Sequence, residues 1–306
     1  MKLLITGACG HIGSYLIQNV YKIKKINEVL LIDNFDSQRF NSLFNIEPKK
    51  KFKFYNIDLS KNKLKLFPKV DFIIHCASHT NAQGSFKIKK EMYRNNLNCM
   101  KNIINYSIKN KSKLIHISST SVYGKQSKIV NEDDVSFLKP QSPYAEIKLI
   151  EEKLLEKNKK FISYNTFRFG TIAGISKGMR FHTAINKFCL NASLNEKIQV
   201  YQTAFNQYRP YLSLRDAFKV FKFCIEKNRF NGKIYNALSG NFTVKQIINM
   251  IKKYKKNIKI EFVKSKIMNQ LSYHVDGKKI NKLGLRLNSS IETDIKNTLN
   301  LFKNIN

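Results

Sequence analysis

The 306-residue chain is expected to fold as an α/β protein, with a doubly wound parallel sheet followed by a smaller C-terminal α/β domain. Three observations predict this. Short apolar runs alternate with segments of helical period through the first 170 residues. A glycine triplet, Gly7-x-x-Gly10-x-x-Gly13, separates the first apolar run from the first helical segment. Asp33 ends the second run, 20 residues beyond Gly13.

Lys2–Thr6 reads as the first strand, His11–Lys24 as the first helix and Glu28–Asp33 as the second strand. Phe52–Asp58 reads as the third. Val70–Ala77 is nearly all apolar, as a strand buried on both faces must be. Glu91–Asn110 has helical period, Lys113–Ser119 reads as a strand, and Pro143–Asn158 as a helix whose proline suits a first turn. Phe161–Phe169 returns to strand. Gly170, Gly174 and Gly178 then mark a loop-rich stretch. Helices near His182–Leu194, Leu214–Lys227, Thr243–Lys253 and Ile291–Asn304 alternate with short strands at Ile198–Tyr201, Lys233–Ala237 and Ile258–Val263. The division falls at 1–170 and 171–306, with the second part able to return an element to the first sheet.

Hydrophobic residues make up 42% and aromatics 12%, enough to fill a core, which excludes wholesale disorder. No apolar run reaches the ~18–20 residues that span a bilayer. The start, MKLLITGACG, breaks into glycine too early for a signal peptide, so no membrane partner and a cytoplasmic location are expected. The net charge is +34, yet only eight of the 55 basic residues are arginine and the lysines are scattered. Nucleic-acid binders cluster their cations and use arginine for forks and stacking. A solvated basic surface is therefore the preferred reading, and nucleic acid is not an expected partner. The five cysteines (9, 76, 99, 189 and 224) are odd in number and widely spaced, so neither a disulfide frame nor a zinc knuckle is indicated.

The glycine triplet sits where a strand meets a helix. Glycine there permits a tight turn and lets backbone approach a pyrophosphate resting on the helix N-terminus. A carboxylate at Asp33 suits ribose hydroxyls and repels a 2′-phosphate, which favours NAD over NADP. His75 and His79 invite a metal reading, but no further acid or cysteine lies at ligand spacing, so no metal is expected. Tyr144-x-x-x-Lys148 puts a phenol and an ammonium one helical turn apart, and a nearby cation favours phenolate. That pairing alone is weak. Chance predicts about two from 14 tyrosines and 47 lysines, and there are two, the other being Tyr21 and Lys25. Position selects Tyr144, because it follows the strand ending at Ser118 and Ser119, and such sheets bind ligands at the carboxyl ends of their strands. Glu132, Asp133 and Asp134 read as an exposed loop, and Glu151 and Glu152 as partners of helix-face lysines.

Together these pieces resemble the extended short-chain dehydrogenase/reductases of the nucleotide-sugar epimerase/dehydratase branch. The matching segments are TGACGHIG (6–13), Asp33, IDL (57–59), HCAS (75–78), NNL (95–97), SSTSVYG (118–124), YAEIK (144–148), RFGTIAG (168–174) and RPYLSLRD (209–216). The resemblance implies a Rossmann-type domain, bound NAD, and a catalytic set of Ser119, Tyr144 and Lys148. It places the cofactor against Gly7, Gly10, His11, Ile12, Gly13, Asp33, Asn34, Asp58, Leu59, Ala77 and Asn96 as well as Tyr144 and Lys148. It places a nucleotide-diphosphate sugar against Thr120, Thr171, Arg180, Asn186 and Arg209. A homodimer is common in that branch.

Two departures matter. Dehydratases of the branch carry Asp-Glu just before VYG, and this chain has Thr120 and Ser121. The usual asparagine after the RxF arginine is replaced by Thr171. The resemblance therefore implies an NAD-dependent epimerase of UDP- or dTDP-sugars, acting at C4 through a transient ketosugar. Its rivals are a dehydrogenase or 4-ketosugar reductase with net cofactor turnover, and a noncatalytic nucleic-acid-binding protein.

Overall fold

A computed structural model describes residues 1–82, 84–264 and 273–304. The strands and helices run β1 (Lys2–Thr6), α1 (His11–Asn19), β2 (Glu28–Asp33), β3 (Lys51–Asn56), β4 (Phe72–His75), α2 (Lys89–Asn110), β5 (Lys113–Ser119), β6 (Ile129–Val130), α3 (Pro143–Lys157), β7 (Tyr164–Phe169) and β8 (Thr171–Ala173). They continue with α4 (Ala184–Ser193), β9 (Lys197–Tyr201), β10 (Tyr208–Ser213), α5 (Leu214–Lys227), β11 (Ile234–Ala237), β12 (Gly240–Thr243), α6 (Val244–Tyr254), β13 (Lys259–Val263), β14 (His274–Val275), α7 (Lys278–Asn281) and α8 (Ile291–Asn300).

Seven strands form one parallel sheet in the order β11-β7-β5-β4-β1-β2-β3. The order reverses between β1 and β4, which is the crevice where open sheets bind ligands. Alternate residues face opposite layers. Leu3, Ile5, Ile74 and Phe167 join the core beneath α1 and α5. Leu4, Ile73, Leu114 and Tyr164 join the core beneath α2 and α3. Each fully buried side chain of this kind contributes roughly 1.5–3 kcal/mol.

β11 comes from beyond residue 170 and pairs with β7 at the sheet edge. The apolar face of α5 joins the same core as α1. The remainder of the C-terminal part has its own core of α4, α6, α8, β9 and β10. The first helix is shorter than its apolar period suggests, because α1 tightens into a 3₁₀ turn at Val20–Lys22. Four further strands and one short helix (β6, β8, β12, β14 and α7) and the six-residue β10 escape the sequence pattern. Most are too short to show a period, and Pro210 lies within β10. Among the described residues, no helix is long and apolar enough to cross a membrane.

Candidate active site

β1 delivers the chain into the glycine turn at the switch point. Gly7 has φ +62°, and a Cβ there would lie 2.6 Å from the Ala77 nitrogen. A Cβ on Gly13 would lie 2.3 Å from the Gly7 carbonyl oxygen. Both positions therefore require glycine for packing. Gly10 differs, since a Cβ there would meet only the Gly7 oxygen, at 3.3 Å. Its open side faces a cavity of about 1010 Å³ that Gly7, His11, Ile12 and Gly13 also line. The first N–H groups of α1 lack intrahelical partners and point that way, which is a ready anion site.

A second cavity of about 260 Å³ adjoins it and shares Gly7, Gly10 and Arg39. Its wall includes Asp33, Asn34, Asp58, Leu59 and Ala77. The Cys9 and Phe35 N–H groups donate to the two Asp33 oxygens, each at 2.9 Å, and so fix the carboxylate. Burial raises the Asp58 pKa, but hydrogen bonds from Ser60 and the Lys61 ammonium outweigh it and hold the carboxyl below its ordinary value. The acids thus stand at this end. The larger cavity carries Arg39, Lys87, Lys148, Arg180, Lys187 and Arg209, with no Asp or Glu among the described residues of its wall. Hydroxyl-bearing riboses suit the acidic end and diphosphates the basic one. The residues present therefore fit a dinucleotide lying across the glycine turn.

Ser119, Tyr144 and Lys148 all line the larger cavity, opposite the glycines. Ser119 ends β5. Of the three consecutive hydroxyls there, Ser118 donates to Glu152 at 2.6 Å and Thr120 to the Phe169 carbonyl at 3.2 Å. Ser119 Oγ instead accepts from the Ser121 N–H at 3.2 Å and hydroxyl at 2.9 Å. α3 begins on a Ser142 cap, whose hydroxyl accepts from the Ala145 N–H at 3.2 Å, with Pro143 in its first turn. Tyr144 and Lys148 then face the sheet, with the Lys148 Nζ 5.8 Å from the Tyr144 ring centroid. Burial lowers the Lys148 pKa, but the carboxylate of Glu151 more than reverses this and leaves it raised.

Thr171, Arg180 and Arg209 lie in the same wall. The Arg180 guanidinium donates to Thr80 Oγ1, while its buried Nε has no partner. The stretch carrying Arg180 is pinned to the glycine turn. Gly178 N–H donates to Ser14 Oγ at 2.8 Å, and a Cβ at Gly178 would lie 2.1 Å from the Cys9 carbonyl oxygen.

Asn96 and Asn186 stand outside both cavity walls, and the rings of His11 and His75 are held by other partners. Asn96 is fully buried behind the wall; its amide accepts from the His79 N–H and donates to the His79 carbonyl, so it shapes the Ala77–Asn81 loop. Asn186 is also fully buried and donates to the Arg180 carbonyl at 2.9 Å. The His11 ring turns away to the Gly174 carbonyl at 2.8 Å, and burial pushes its pKa down to about 3. His75 is held to Thr6 Oγ1 at 2.7 Å.

The expected lysine pairing of the α3 acids holds for Glu151 but not for Glu152. Both are buried, because the helical period sets positions 148, 151 and 152 toward the sheet. Glu152 takes Arg168 (2.7 Å) rather than a lysine. Glu151 does take a lysine, Lys148, but also His116. Glu132 is half-buried and accepts from the Asn236 N–H, whereas Asp133 and Asp134 are exposed. Arg39 and Gly178 were not singled out as site residues, and their place depends on tertiary packing that no spacing records.

The model of the NAD dependent epimerase/dehydratase family matches residues 3–237. The chain is 25% identical to a dTDP-D-glucose 4,6-dehydratase of Dictyostelium discoideum, over 99% of this chain and 82% of that one. It is 25% identical to a trifunctional UDP-glucose 4,6-dehydratase, 3,5-epimerase and 4-keto-L-rhamnose reductase of Arabidopsis thaliana, over 98% of this chain. It spans about half of that protein, 47% of its length. Among solved structures, the UDP-glucuronic acid 4-epimerase of Bacillus cereus, in complex with UDP-glucuronic acid and NAD, superposes with a TM-score of 0.89 at 24% identity, over all of both chains.

Proposed function

Because the chain belongs to the NAD dependent epimerase/dehydratase family, we propose that it is a nucleotide-sugar epimerase working at C4 through a transient ketosugar. Its cofactor is NAD, and its activity is of the nucleotide-sugar epimerase/dehydratase type. In this reading residues 1–170 hold the cofactor and 171–306 the sugar of a UDP- or dTDP-linked substrate. Two copies of the chain pair as a homodimer, which sedimentation would test.

One observation carries the epimerase choice. The wall around Tyr144 offers hydroxyls and cations, and no carboxylate among the described residues. Loss of water needs a proton donor for the leaving oxygen beside the base. Epimerisation needs one group that takes a proton and returns it to the same oxygen.

NAD, when bound, supplies the hydride acceptor and donor. Tyr144 takes the proton of the sugar hydroxyl as phenolate and returns it to that oxygen at the close of the cycle. Ser119 donates a hydrogen bond to the reacting oxygen, and its neighbour Ser121 donates back to Ser119. Lys148 favours the phenolate through its charge. Arg180 and Arg209 neutralise the diphosphate, and Thr171 lies beside them in the wall. The ketosugar turns within a cavity of about 1010 Å³, at the upper end of the usual ~300–1,000 Å³ range for ligand sites.

The test is incubation of the NAD-loaded protein with UDP- and dTDP-hexoses. Chromatography should show the C4 epimer with no change in absorbance at the NADH band. Stoichiometric change in that band would favour the reductase reading, and a 4-keto-6-deoxy product would favour dehydration.

A further inference from the structure

We infer that Glu151 is a positioning residue that, braced by His116, holds the Lys148 side chain charged and in place beside the Tyr144 phenol. The inference rests on the epimerase reading, because it takes Tyr144 as the base.

The geometry is a buried chain of four groups. Lys148 Nζ donates to Glu151 Oε2 at 2.8 Å, and His116 Nε2 meets the same oxygen at 2.9 Å. His116 Nδ1 lies 3.2 Å from Thr166 Oγ1. A carboxylate only accepts, so His116 carries a proton on Nε2, directed at Glu151. Glu151, His116 and Thr166 are each no more than 1% exposed. The chain therefore runs from Lys148 in the cavity wall to a buried end at Thr166.

The sheet register explains why these groups meet. Thr6 lies beside His75, His75 beside His116, and His116 beside Thr166 in adjacent parallel strands. This is one polar row across β1, β4, β5 and β7, at the last residues of β1 and β4 and midway along β5 and β7, on the face that α3 covers. Glu152 cannot replace Glu151, because Arg168 and Ser118 already occupy it. A buried ammonium without a counter-ion is costly. The pairing keeps Lys148 charged and in place beside Tyr144.

The other ionisable groups facing this cluster come from every element around it. His75 and Cys76 face it from the end of β4, and Cys99 from α2. Arg180 and Tyr273 act on Tyr144 from the C-terminal part. Glu146, on α3 itself, is engaged by Tyr93 and Lys89 at the solvent side. Of the acids, Glu151 is the one bonded to Lys148. Its removal leaves the buried ammonium unpaired, so Lys148 gives up its proton more easily and Tyr144 loses the cation beside it.

The experiment is an ultraviolet titration of the NAD-loaded protein, read as its difference from the matching Tyr144→Phe protein, which isolates the Tyr144 phenolate without any substrate. Glu151→Gln should move that titration up by about one pH unit. Glu151→Asp keeps the charge and should leave it within a few tenths of a unit, although its shorter reach disturbs packing. An unmoved or lowered titration in Glu151→Gln overturns the inference, as does Glu151→Asp moving as far as Glu151→Gln. If the amide variant does not fold, Glu151→Met removes the same charge and is read in the same way. Full turnover by Tyr144→Phe would instead defeat the epimerase reading and leave the titration result standing.

Discussion

The two faces of the central sheet are built from the same strands and end differently. On the α1 and α5 side the apolar layer runs to the strand ends, through Ile5, Ile74, Ile117 and Phe169. On the α2 and α3 side Leu4, Ile73, Leu114 and Tyr164 are followed, two residues on, by Thr6, His75, His116 and Thr166. One side chooses packing at the level of the cavity. The other gives up its last apolar layer to a hydrogen-bonded row that holds the helix bearing Tyr144 and Lys148. Substitutions on the first face should cost stability, and those on the second should cost chemistry or its pH dependence.

The largest expected effect is on the polar side. Tyr144→Phe should lower kcat by roughly 10²–10⁴-fold, with Tm and NAD affinity little changed. Equal losses of stability and activity would erase the distinction between the faces. On the apolar side, Phe167 is fully buried and stacks on Tyr235, with ring centroids 5.7 Å apart. Phe167→Ala should destabilise by about 3–5 kcal/mol in chemical denaturation, while the folded fraction keeps its pH–rate profile. A shifted profile would break the comparison from this side.

The next effect concerns His75. Burial pushes its pKa from 6.5 down to about 3. The unfolded chain takes up a proton below pH 6.5 that the folded form excludes. The stability His75 contributes is therefore present above that pH and is lost as pH falls toward 3. Between pH 7 and 5 the loss from this residue is about 2 kcal/mol. Denaturation of His75→Gln at both pH values should show a correspondingly flatter dependence, and an unchanged dependence would contradict the burial argument. The smallest effect asks how far the polar side extends beyond the sheet. Arg180→Lys keeps the charge and loses the fork, and should raise KM for the nucleotide sugar roughly tenfold with kcat nearly constant. A change confined to NAD affinity would move Arg180 to the cofactor.

Much of this was legible in the sequence where the signal is local. The glycine turn and Asp33 follow from spacing along one βαβ unit, and Leu214–Lys227 and Lys113–Ser119 emerge with the bounds their apolar patterns suggest. Motif matching named Asn96 and Asn186 but could not show that their amides turn to backbone carbonyls behind the wall. Glu151 keeps the lysine pairing its spacing suggests, whereas Glu152 takes Arg168, a partner that no helical spacing reveals. Their burial is decided by His116 and Arg168, on strands far away in sequence. β8 and β12, three and four residues long, carry no period, and the six-residue β10 is interrupted by Pro210.

The most direct test of the central claim uses UDP- and dTDP-hexoses carrying deuterium at C4, incubated with the NAD-loaded protein. The account predicts both C4 epimers, with deuterium kept at C4 and no accumulation of reduced cofactor. Deuterium transferred to C6 in a 4-keto product, or reduced cofactor building up in step with product, would contradict it.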